Sequence, residues 1–341
     1  EVLVAPGNAG TAREDKVRNV AVSSDDIDAL AKLAQAEEVA LTIVGPEAPL
    51  VAGVVDRFNE LNLPCFGPSA AAAQLEGSKA FTKDFLARHN IPTADYQSFT
   101  ELAPALDYIR AQGAPIVIKA DGLAAGKGVI VAMTLEEAEQ AATDMLAGGS
   151  FGAAGARIVV EEFLEGEEAS FIVITDGDVI LPLATSQDHK ARDEGDVGPN
   201  TGGMGAYSPA PVVTPEIEAR IMDEVIRPTL EGMKADGNPY LGFLYAGLMI
   251  MADGTPKVIE FNCRLGDPET QPIMARLKSD LVDICLSTIE GDLAERDTLW
   301  DTRAALGVVM AAGGYPSSYE KGKVISGLEN ADSNTQKVFH A

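Results

Sequence analysis

The sequence has few cationic side chains, and this shortage excludes one class of function. Its 341 residues include 26 lysines and arginines against 52 aspartates and glutamates, which gives a formal net charge of −26. A protein that binds nucleic acid without sequence preference needs basic patches that neutralise phosphates, so the charge balance argues against nucleic-acid partners. Any anionic ligand must therefore be held locally, by individual lysines, by backbone amides or by a metal ion.

Long apolar runs and clusters of cysteine are missing as well. No apolar run reaches the roughly 20 residues that a membrane-spanning helix needs, so we expect no membrane association. The three cysteines, Cys65, Cys263 and Cys285, do not have the spacing of metal ligands, and their odd number favours reduced thiols in the cytoplasm. No pairing of cysteine with histidine points to a protein nucleophile, so we expect chemistry that uses metal, phosphate and positioned amides.

The first part of the chain alternates strand and helix patterns. Val2–Ala5 has the composition of a strand, and Asp25–Glu38 places apolar residues on one helical face after Ser24, the expected N-cap. Strands separated by helices predict a parallel sheet whose ligands bind at the carboxyl ends of the strands. The length of the chain allows two or three domains of about 100–150 residues.

A glycine-rich segment, IKADGLAAGKGVIVA, runs from Ile118 to Ala132. It is not a P-loop, because its first two glycines are one residue too close, a glycine follows the second lysine, and a β-branched run replaces the helix. We expect instead the tip of an antiparallel hairpin, where backbone amides and Lys119 contact phosphate oxygens. A surface turn with a solvated lysine is the alternative.

An apolar strand leads into a cluster of acidic residues between Val159 and Glu168. On a functional interpretation, the backbone of Glu162–Leu164 hydrogen-bonds the edge of an adenine, and Glu168 binds the ribose hydroxyls. The alternative, in a chain as acidic as this one, is a solvated acidic turn.

A second strand end, within Val258–Glu269, carries both acceptors and donors. Residues two apart on a strand share a face, so Glu260 and Asn262 point the same way. One carboxylate and one amide oxygen suit Mg²⁺, which keeps water and substrate phosphates as its other ligands. Arg264 would lie near the same phosphates, and the alternative is an ordinary half-exposed strand end.

The connection Thr185–Ala206 is long, polar and rich in glycine. Connections of this length without regular structure are typical of mobile segments that cover a site. We therefore expect it to lie over the ligands.

In this order, the segments resemble those of the ATP-grasp enzymes, and more closely those of the glycinamide ribonucleotide synthetase (phosphoribosylamine–glycine ligase) family. The resemblance covers essentially the whole chain. It rests on Gly45–Leu50 (GPEAPL), Gly77–Leu86 (GSKAFTKDFL), Ile118–Val131 (IKADGLAAGKGVIV), Asp188–Lys190 (DHK), Asn200–Pro209 (NTGGMGAYSP) and Val258–Pro272 (VIEFNCRLGDPETQP).

The resemblance implies an α/β (α+β) ATP-grasp fold with three parts. Residues 1–77 would be a partial parallel α/β substrate-binding domain that lacks the family's first strand and glycine-rich turn. Residues 78–302 would be the ATP-grasp domain, with a small lid subdomain at about 96–165, and residues 303–341 would begin a β-rich C-terminal domain. We thus expect a chain truncated at both ends.

The resemblance also implies roles for individual residues. Arg264, Lys119 and Asp188 would be catalytic, and Glu260 and Asn262 would bind Mg²⁺ or Mn²⁺. ATP would be bound by Lys79, Lys119, Gly122, Gly126, Lys127, Gly128, Glu161, Glu162, Phe163, Leu164 and Glu168. The other substrates would be bound by Gly45, Pro46, Glu47, Asn200, Thr201, Gly202, Gly203, Asp267, Pro268 and Glu269.

The implied activity is that of an ATP-dependent carbon–nitrogen ligase of purine biosynthesis. The glycine carboxylate would attack the γ-phosphate of ATP to give glycyl phosphate and ADP, and the amine of 5-phosphoribosylamine would then displace phosphate. The protein would act on these small molecules as a monomer. Another ATP-grasp carboxylate–amine ligase of purine synthesis and an inactive nucleotide-binding fragment are the alternatives.

Overall fold

The structure is a computed structural model that describes residues 1–123, 128–148, 152–328, 331, 333 and 335–340. Its N-terminal region alternates short strands with helices: β1 (Val2–Val4), β2 (Val17–Asn19), α1 (Ile27–Ala36), β3 (Thr42–Ile43), α2 (Glu47–Val51), α3 (Val54–Glu60), β4 (Cys65–Phe66) and α4 (Gln74–Gly77). Strand β1 pairs with β2, and β3 pairs with β4, both in parallel. The parallel arrangement predicted from the alternation is therefore confirmed.

Helix α1 does not use the expected N-cap, Ser24. The carboxylate of Asp26 accepts a hydrogen bond from the Ala29 N–H at 3.0 Å, and the helix begins at Ile27. Because Asp and Ser cap helices about equally well, residue preference could not decide between the two positions.

The next part of the chain forms a separate sheet with its own core. Its elements are α5 (Lys79–Arg88), β5 (Tyr96–Phe99), α6 (Leu102–Gln112), β6 (Ile116–Ala120), β7 (Val129–Ala132), α7 (Leu135–Leu146) and β8 (Ile158–Glu162). The strands pair antiparallel in the order β5-β8-β6-β7, here called the lid sheet. Apolar residues of α6 and α7, among them Ile109 and Met145, pack on it.

The glycine-rich segment is a hairpin, as predicted. Strands β6 and β7 pair antiparallel, with Lys119 opposite Val129, and the chain continues after residue 128 as a strand and not as a helix. This pairing excludes the P-loop alternative. The predicted ligands Gly126 and Lys127 lie outside the described residues.

A larger sheet follows. Its region contains β9 (Glu167–Thr175), β10 (Ile180–Pro182), β11 (Gln187–Asp188), β12 (Ala191–Asp193), β13 (Val197–Asn200), β14 (Gly205–Ser208), α8 (Pro215–Ile221), α9 (Arg227–Ala235), β15 (Gly242–Ile250), β16 (Pro256–Asn262), α10 (Thr270–Arg276), α11 (Leu281–Glu290) and β17 (Ala305–Val308). The order β10-β9-β15-β16, antiparallel throughout, is called the large sheet. A π-helical turn, Met222–Ile226, joins α8 to α9.

Alternating side chains on the large sheet divide the core into two layers. Phe171 and Val173 pack with the N-terminal region and with α9, whereas Ile172 and Ile174 pack on the opposite face with α11. This period of two is expected for a strand covered on both faces. The large sheet therefore has most of the N-terminal region on one side and α11 on the other, where Phe66 of β4 also packs.

Strand β16 contains an irregularity that matters for the site. Gly247 of β15 pairs with Glu260, whereas Leu248 pairs with Val258, so Ile259 is the extra residue of a β-bulge. A bulge leaves a residue outside the regular ladder and redirects its neighbours. The strand end thus presents backbone carbonyls as well as side chains to the surroundings.

The last described strand returns to the middle of the chain. Strand β17 pairs antiparallel with β14, and Arg276 of α10 donates to the Ser208 hydroxyl at 2.7 Å and to the Arg303 carbonyl at 3.0 Å. Within the described residues, none of the helices is both long and apolar enough to cross a membrane.

Replacement of Thr134 should destabilise helix α7. The Thr134 hydroxyl accepts a hydrogen bond from the Glu137 N–H at 3.2 Å, and the Glu137 carboxylate accepts one from the Thr134 N–H at 3.1 Å, so the two residues form a capping box. We expect Thr134→Ala to lower the free energy of unfolding by about 1 kcal/mol in a denaturant titration. Thr302→Ala, at an exposed position outside any helix, should change it by less than about 0.5 kcal/mol; equal effects would contradict the capping role.

Candidate active site

The lid sheet, the large sheet and the N-terminal region line one cavity of about 670 Å³. The predicted residues that line it are Gly45, Pro46, Glu47, Lys79, Lys119, Gly128, Glu161, Glu162, Phe163, Leu164, Glu168, Asp188, Asn200, Thr201, Gly202, Glu260, Asn262, Arg264, Asp267 and Glu269. Motifs from four distant parts of the chain therefore meet at one place.

Three predicted ligands do not line the cavity. The backbone carbonyl of Gly122 accepts a hydrogen bond from Lys79 Nζ at 3.1 Å. Gly203 has a φ of +125°, and a Cβ there would lie 2.3 Å from Pro268 Cδ. The binding roles predicted for these three residues stay predictions; in the structure the Gly122 carbonyl contacts Lys79, and Gly203 and Pro268 lie against each other.

Two predicted lysines line the cavity, and one of them, Lys119, is buried against opposite charge. Lys119, on β6, places Nζ 3.0 Å from both carboxylate oxygens of Glu161 and donates to the Ile259 carbonyl at 3.0 Å. That carbonyl belongs to the bulged residue of β16. Burial lowers the pKa of Lys79. Both ammonium groups can attract a phosphate, because each lies in a cavity with restricted solvent.

The residues predicted to meet the adenine, which follow one another at the end of β8, differ in which of their groups are free to bind it. The backbone of Glu161 lies between two neighbouring strands, opposite Tyr96 and Val117. Its carboxylate, which pairs with Lys83 and Lys119, is its group in the cavity, and its part in ATP binding stays a prediction. Phe163 and Leu164 follow the last paired residue of β8, so a purine edge can reach their backbone groups.

The end of β16 carries the predicted metal ligands. Glu260 and Asn262 both reach the cavity, whereas Phe261 between them is 2% exposed and belongs to the core. Lys190 approaches Glu260 Oε1 at 3.3 Å and Glu168 Oε2 at 3.5 Å. The positive charge of Lys190 outweighs burial and lowers the pKa of Glu260 to about 2, so this carboxylate is ionised at neutral pH.

These donors fit a magnesium ion. No group of three or more His, Cys, Asp or Glu side chains suited to a metal occurs among the described residues, so an all-protein cage is not formed there. An ionised carboxylate beside an amide oxygen suits a cation that draws its remaining ligands from water and substrate phosphate. Glu260 and Asn262 provide that pair.

Arg264 is held between two carboxylates. Its Nη2 lies 3.0 Å from Glu76 Oε1 and 3.3 Å from Asn262 Oδ1, and its Nε lies 3.4 Å from Glu47 Oε2. Glu76 also accepts the Cys263 N–H at 2.7 Å. Glu47 and Glu76 belong to the N-terminal region, so these contacts join it to β16 and orient the guanidinium toward the cavity.

Two further acidic residues, Glu269 and Asp188, line the same cavity. Glu269 is 2% exposed, and its Oε1 accepts hydrogen bonds from Tyr245 at 2.8 Å and from Ser170 at 2.9 Å. Asp188 is buried nearby; burial raises its pKa to about 7, although Lys190 acts in the opposite direction. An acid that titrates near neutrality is suited to proton transfer.

The predicted mobile connection is partly ordered by backbone contacts. The Thr201 N–H donates to the Lys190 carbonyl at 2.8 Å, and the Gly203 N–H donates to the Thr201 hydroxyl at 3.0 Å. The Tyr315 hydroxyl accepts the Gly202 N–H at 3.3 Å. Asn200–Gly202 thus forms part of the cavity wall.

Four titratable residues of the cavity received no role from the sequence: Lys83, Glu76, Lys190 and Tyr245. Lys83 had a signal, because it follows Lys79 by one helical turn and so shares its face, and Lys190 had one as the last residue of the DHK segment. Glu76 and Tyr245 had none, because their partners lie far away along the chain.

Comparisons with known proteins identify relatives of the whole chain. Family models described as the N domain, the ATP-grasp (A) domain and the C domain of phosphoribosylglycinamide synthetase match residues 1–76, 77–270 and 305–341. Phosphoribosylamine–glycine ligase of Vibrio parahaemolyticus is 68% identical over 340 residues, and that of Escherichia coli is 69% identical over 340. Each alignment covers 100% of this chain and 79% of the relative.

A solved structure has the same fold. The crystal structure of phosphoribosylamine–glycine ligase from Thermotoga maritima superposes with a TM-score of 0.79 at 32% identity. The match covers 94% of this chain and 76% of that one.

Removal of Glu76 should destabilise the protein. The Glu76→Ala change leaves the Cys263 N–H without its acceptor and removes one carboxylate from Arg264. We expect the free energy of unfolding to fall by about 2–4 kcal/mol in a denaturant titration.

The matched control is Glu320→Ala, which removes an exposed carboxylate that pairs with Lys323. Its effect should stay within about 0.5 kcal/mol. A Glu76→Ala variant as stable as this control would contradict the positioning role of Glu76.

Proposed function

We propose a separate role for each group of cavity residues in the reaction of the phosphoribosylglycinamide synthetase family, to which the chain belongs. The protein is an ATP-dependent phosphoribosylamine–glycine ligase: it joins glycine to 5-phospho-D-ribosylamine and releases ADP and phosphate. The observation that supports these roles is that one cavity is lined by Lys119, Glu260, Asn262 and Arg264. Relatives at 68–69% identity share this activity in their names, which argues against a different ATP-grasp ligase.

ATP binds between the lid sheet and the large sheet. The backbone of Phe163 and Leu164 meets the adenine edge, and Glu168 accepts the ribose hydroxyls. Lys79 and Lys119 contact the phosphates, where a fixed positive charge in a cavity of restricted solvent stabilises the transferring phosphoryl group. The support is positional, because all five residues line the same cavity.

The family uses ATP together with Mg²⁺ or Mn²⁺. Glu260 and Asn262 hold this cation, which when bound neutralises charge on the phosphate oxygens. The low pKa of Glu260, caused first by Lys190, keeps the carboxylate ready for a cation throughout the physiological range.

Arg264 supports the first chemical step. In this step an oxygen of the glycine carboxylate forms a bond to the γ-phosphorus of ATP, the bond to the β-phosphate oxygen breaks, and ADP leaves. Arg264 holds the glycyl phosphate that results, because its guanidinium is preoriented by Glu47 and Glu76 and loses little freedom when an anion binds.

Asp188 supports the second step. The amine nitrogen of 5-phosphoribosylamine forms a bond to the acyl carbon, the acyl carbon–oxygen bond breaks, and phosphate leaves. The nitrogen must lose one proton, and Asp188 accepts it. Burial raises the pKa of Asp188 to about 7, which is high enough for a base that works near neutrality.

The remaining cavity residues hold the two other substrates. They are Gly45, Pro46, Glu47, Asn200, Thr201, Gly202, Asp267 and Glu269. We further propose that the protein works as a monomer in the cytoplasm and without nucleic-acid or membrane partners. The formal charge of −26 and the three free, buried cysteines support this proposal.

Release of ADP should depend on glycine. In a coupled assay with ATP, Mg²⁺, glycine and fresh 5-phosphoribosylamine, we expect ADP to form only when glycine is present. The Glu260→Ala variant should release no ADP above background because it lacks the ionised carboxylate of β16. ADP formation that is indifferent to glycine would overturn the proposed roles of the cavity.

The pKa of Asp188 should determine how kcat/KM changes with pH on the acidic side. A base must be deprotonated to act, so kcat/KM for 5-phosphoribosylamine should fall as pH decreases through about 7, the raised pKa of this carboxyl. We expect Asp188→Asn to lower kcat by about 100-fold or more and to remove this acidic limb. Asp178→Asn, which changes an exposed carboxylate on the surface, should retain both the rate and the limb. An unchanged limb in Asp188→Asn would rule out the proposed base.

A further inference from the structure

Lys83 is a buried cation that the proposed mechanism does not use. Its side chain is 3% exposed and lies one helical turn after Lys79 on α5. The ammonium donates to the Thr93 hydroxyl at 2.7 Å and lies 2.8 Å from Glu161 Oε2. A buried ammonium is costly unless it is paired, so this arrangement requires an explanation.

The charges around Glu161 explain why the ammonium of Lys83 is buried. Glu161 is 4% exposed and is shared between Lys83 and Lys119, whose Nζ lies 3.0 Å from the same carboxylate. Two ammonium groups and one carboxylate carry a net charge of +1. With Lys119 alone, Glu161 would cancel the charge of the lysine that faces the nucleotide phosphates.

The same groups are anchored to the bulge of β16. Lys119 Nζ donates to the Ile259 carbonyl at 3.0 Å, and the Thr93 hydroxyl that receives Lys83 donates to the Val258 carbonyl at 2.7 Å. A ring of contacts thus runs from β16 through Lys119, Glu161, Lys83 and Thr93 back to β16. Both ammonium positions are fixed before any ligand binds.

We propose that Lys83 is a positioning residue for ATP: by sharing Glu161, it leaves Lys119 with an uncancelled charge and one N–H directed to the nucleotide phosphates. Lys83 does this without contacting the reacting atoms. The proposal rests on the proposed function in one respect, because it takes the ligand of Lys119 to be a nucleotide phosphate.

Titration of Lys83 provides a way to test it. Burial lowers the pKa of Lys83 to about 8. The charge of Glu161 raises this pKa, whereas the charges of Lys119 and Lys257 lower it further. The ring of Tyr96 also faces the ammonium, with its centroid 5.7 Å away. Below about pH 8 Lys83 is charged and shares Glu161. Above it Lys83 is neutral, Glu161 pairs with Lys119 alone, and phosphate binding weakens.

The experiment measures the affinity of the protein for a non-hydrolysable ATP analogue, by calorimetry, from about pH 6.5 to about pH 9.5. In the unmodified protein we expect affinity to fall through about pH 8. Lys83→Met should bind about tenfold more weakly at pH 7 and lose the part of the pH dependence due to Lys83. Lys234→Met, an exposed lysine paired with Asp178, should behave like the unmodified protein.

A second variant, Lys83→Arg, keeps the proposal testable if Lys83→Met does not fold. Lys83→Arg keeps its charge throughout this pH range, so its affinity should stay high above pH 8. An affinity that falls through pH 8 in Lys83→Arg as it does in the unmodified protein would overturn the proposal. The same conclusion would follow if Lys83→Met folded and retained the original affinity and pH profile.

A double-mutant cycle separates the proposed role from a direct contact. If Lys83 acts through Glu161, Lys83→Met should have little effect on affinity in the Glu161→Gln background. Equal losses in both backgrounds would show a direct ligand contact and contradict the proposal. Because binding of the analogue is measured without glycine, failure of the ligase function would appear only in the turnover assay and would leave this result independent.

Discussion

The carboxylate of Glu161 is almost fully buried, and a buried carboxylate is stable only when its charge is compensated. Lys83 supplies compensation from helix α5, and Lys119 supplies it from the lid sheet. Both lysines also reach the bulged part of β16, directly or through Thr93. The need to pair one charge therefore ties a helix, the lid sheet and β16 to one another, and the walls of the cavity depend on it.

The cavity also resolves an apparent conflict in the composition. A chain with a net charge of −26 must bind a polyanion, and it does so by concentrating cations where the anion lies. Lys79, Lys83, Lys119, Lys190 and Arg264 all line the cavity. Each is held by a carboxylate or a carbonyl at a defined position. Nine acidic residues line the same cavity, so the anion meets individually placed cations and not a lining of net positive charge.

Much of the site could be read from the sequence, because its ligands come in short segments with characteristic spacing. The hairpin character of the glycine-rich segment followed from the β-branched run after it, and the shared face of Glu260 and Asn262 followed from the period of a strand. The contact of the Gly122 carbonyl with Lys79 and the packing of Gly203 on Pro268 did not follow, because local sequence does not reveal which residues support their neighbours. The N-cap of α1 was missed for a related reason: Ser24 and Asp26 are chemically equivalent candidates.

The sequence by itself determined the fold class, the family and the local chemistry of each motif, because these depend on residue type and on spacing along the chain. Only the tertiary structure decided which charges compensate one another. Glu161 with Lys83, Arg264 with Glu76, and Lys119 with the Ile259 carbonyl are contacts between elements that are distant in sequence. Their existence depends on the bulge in β16 and on the packing of the lid sheet, and neither leaves a periodic signal in the chain.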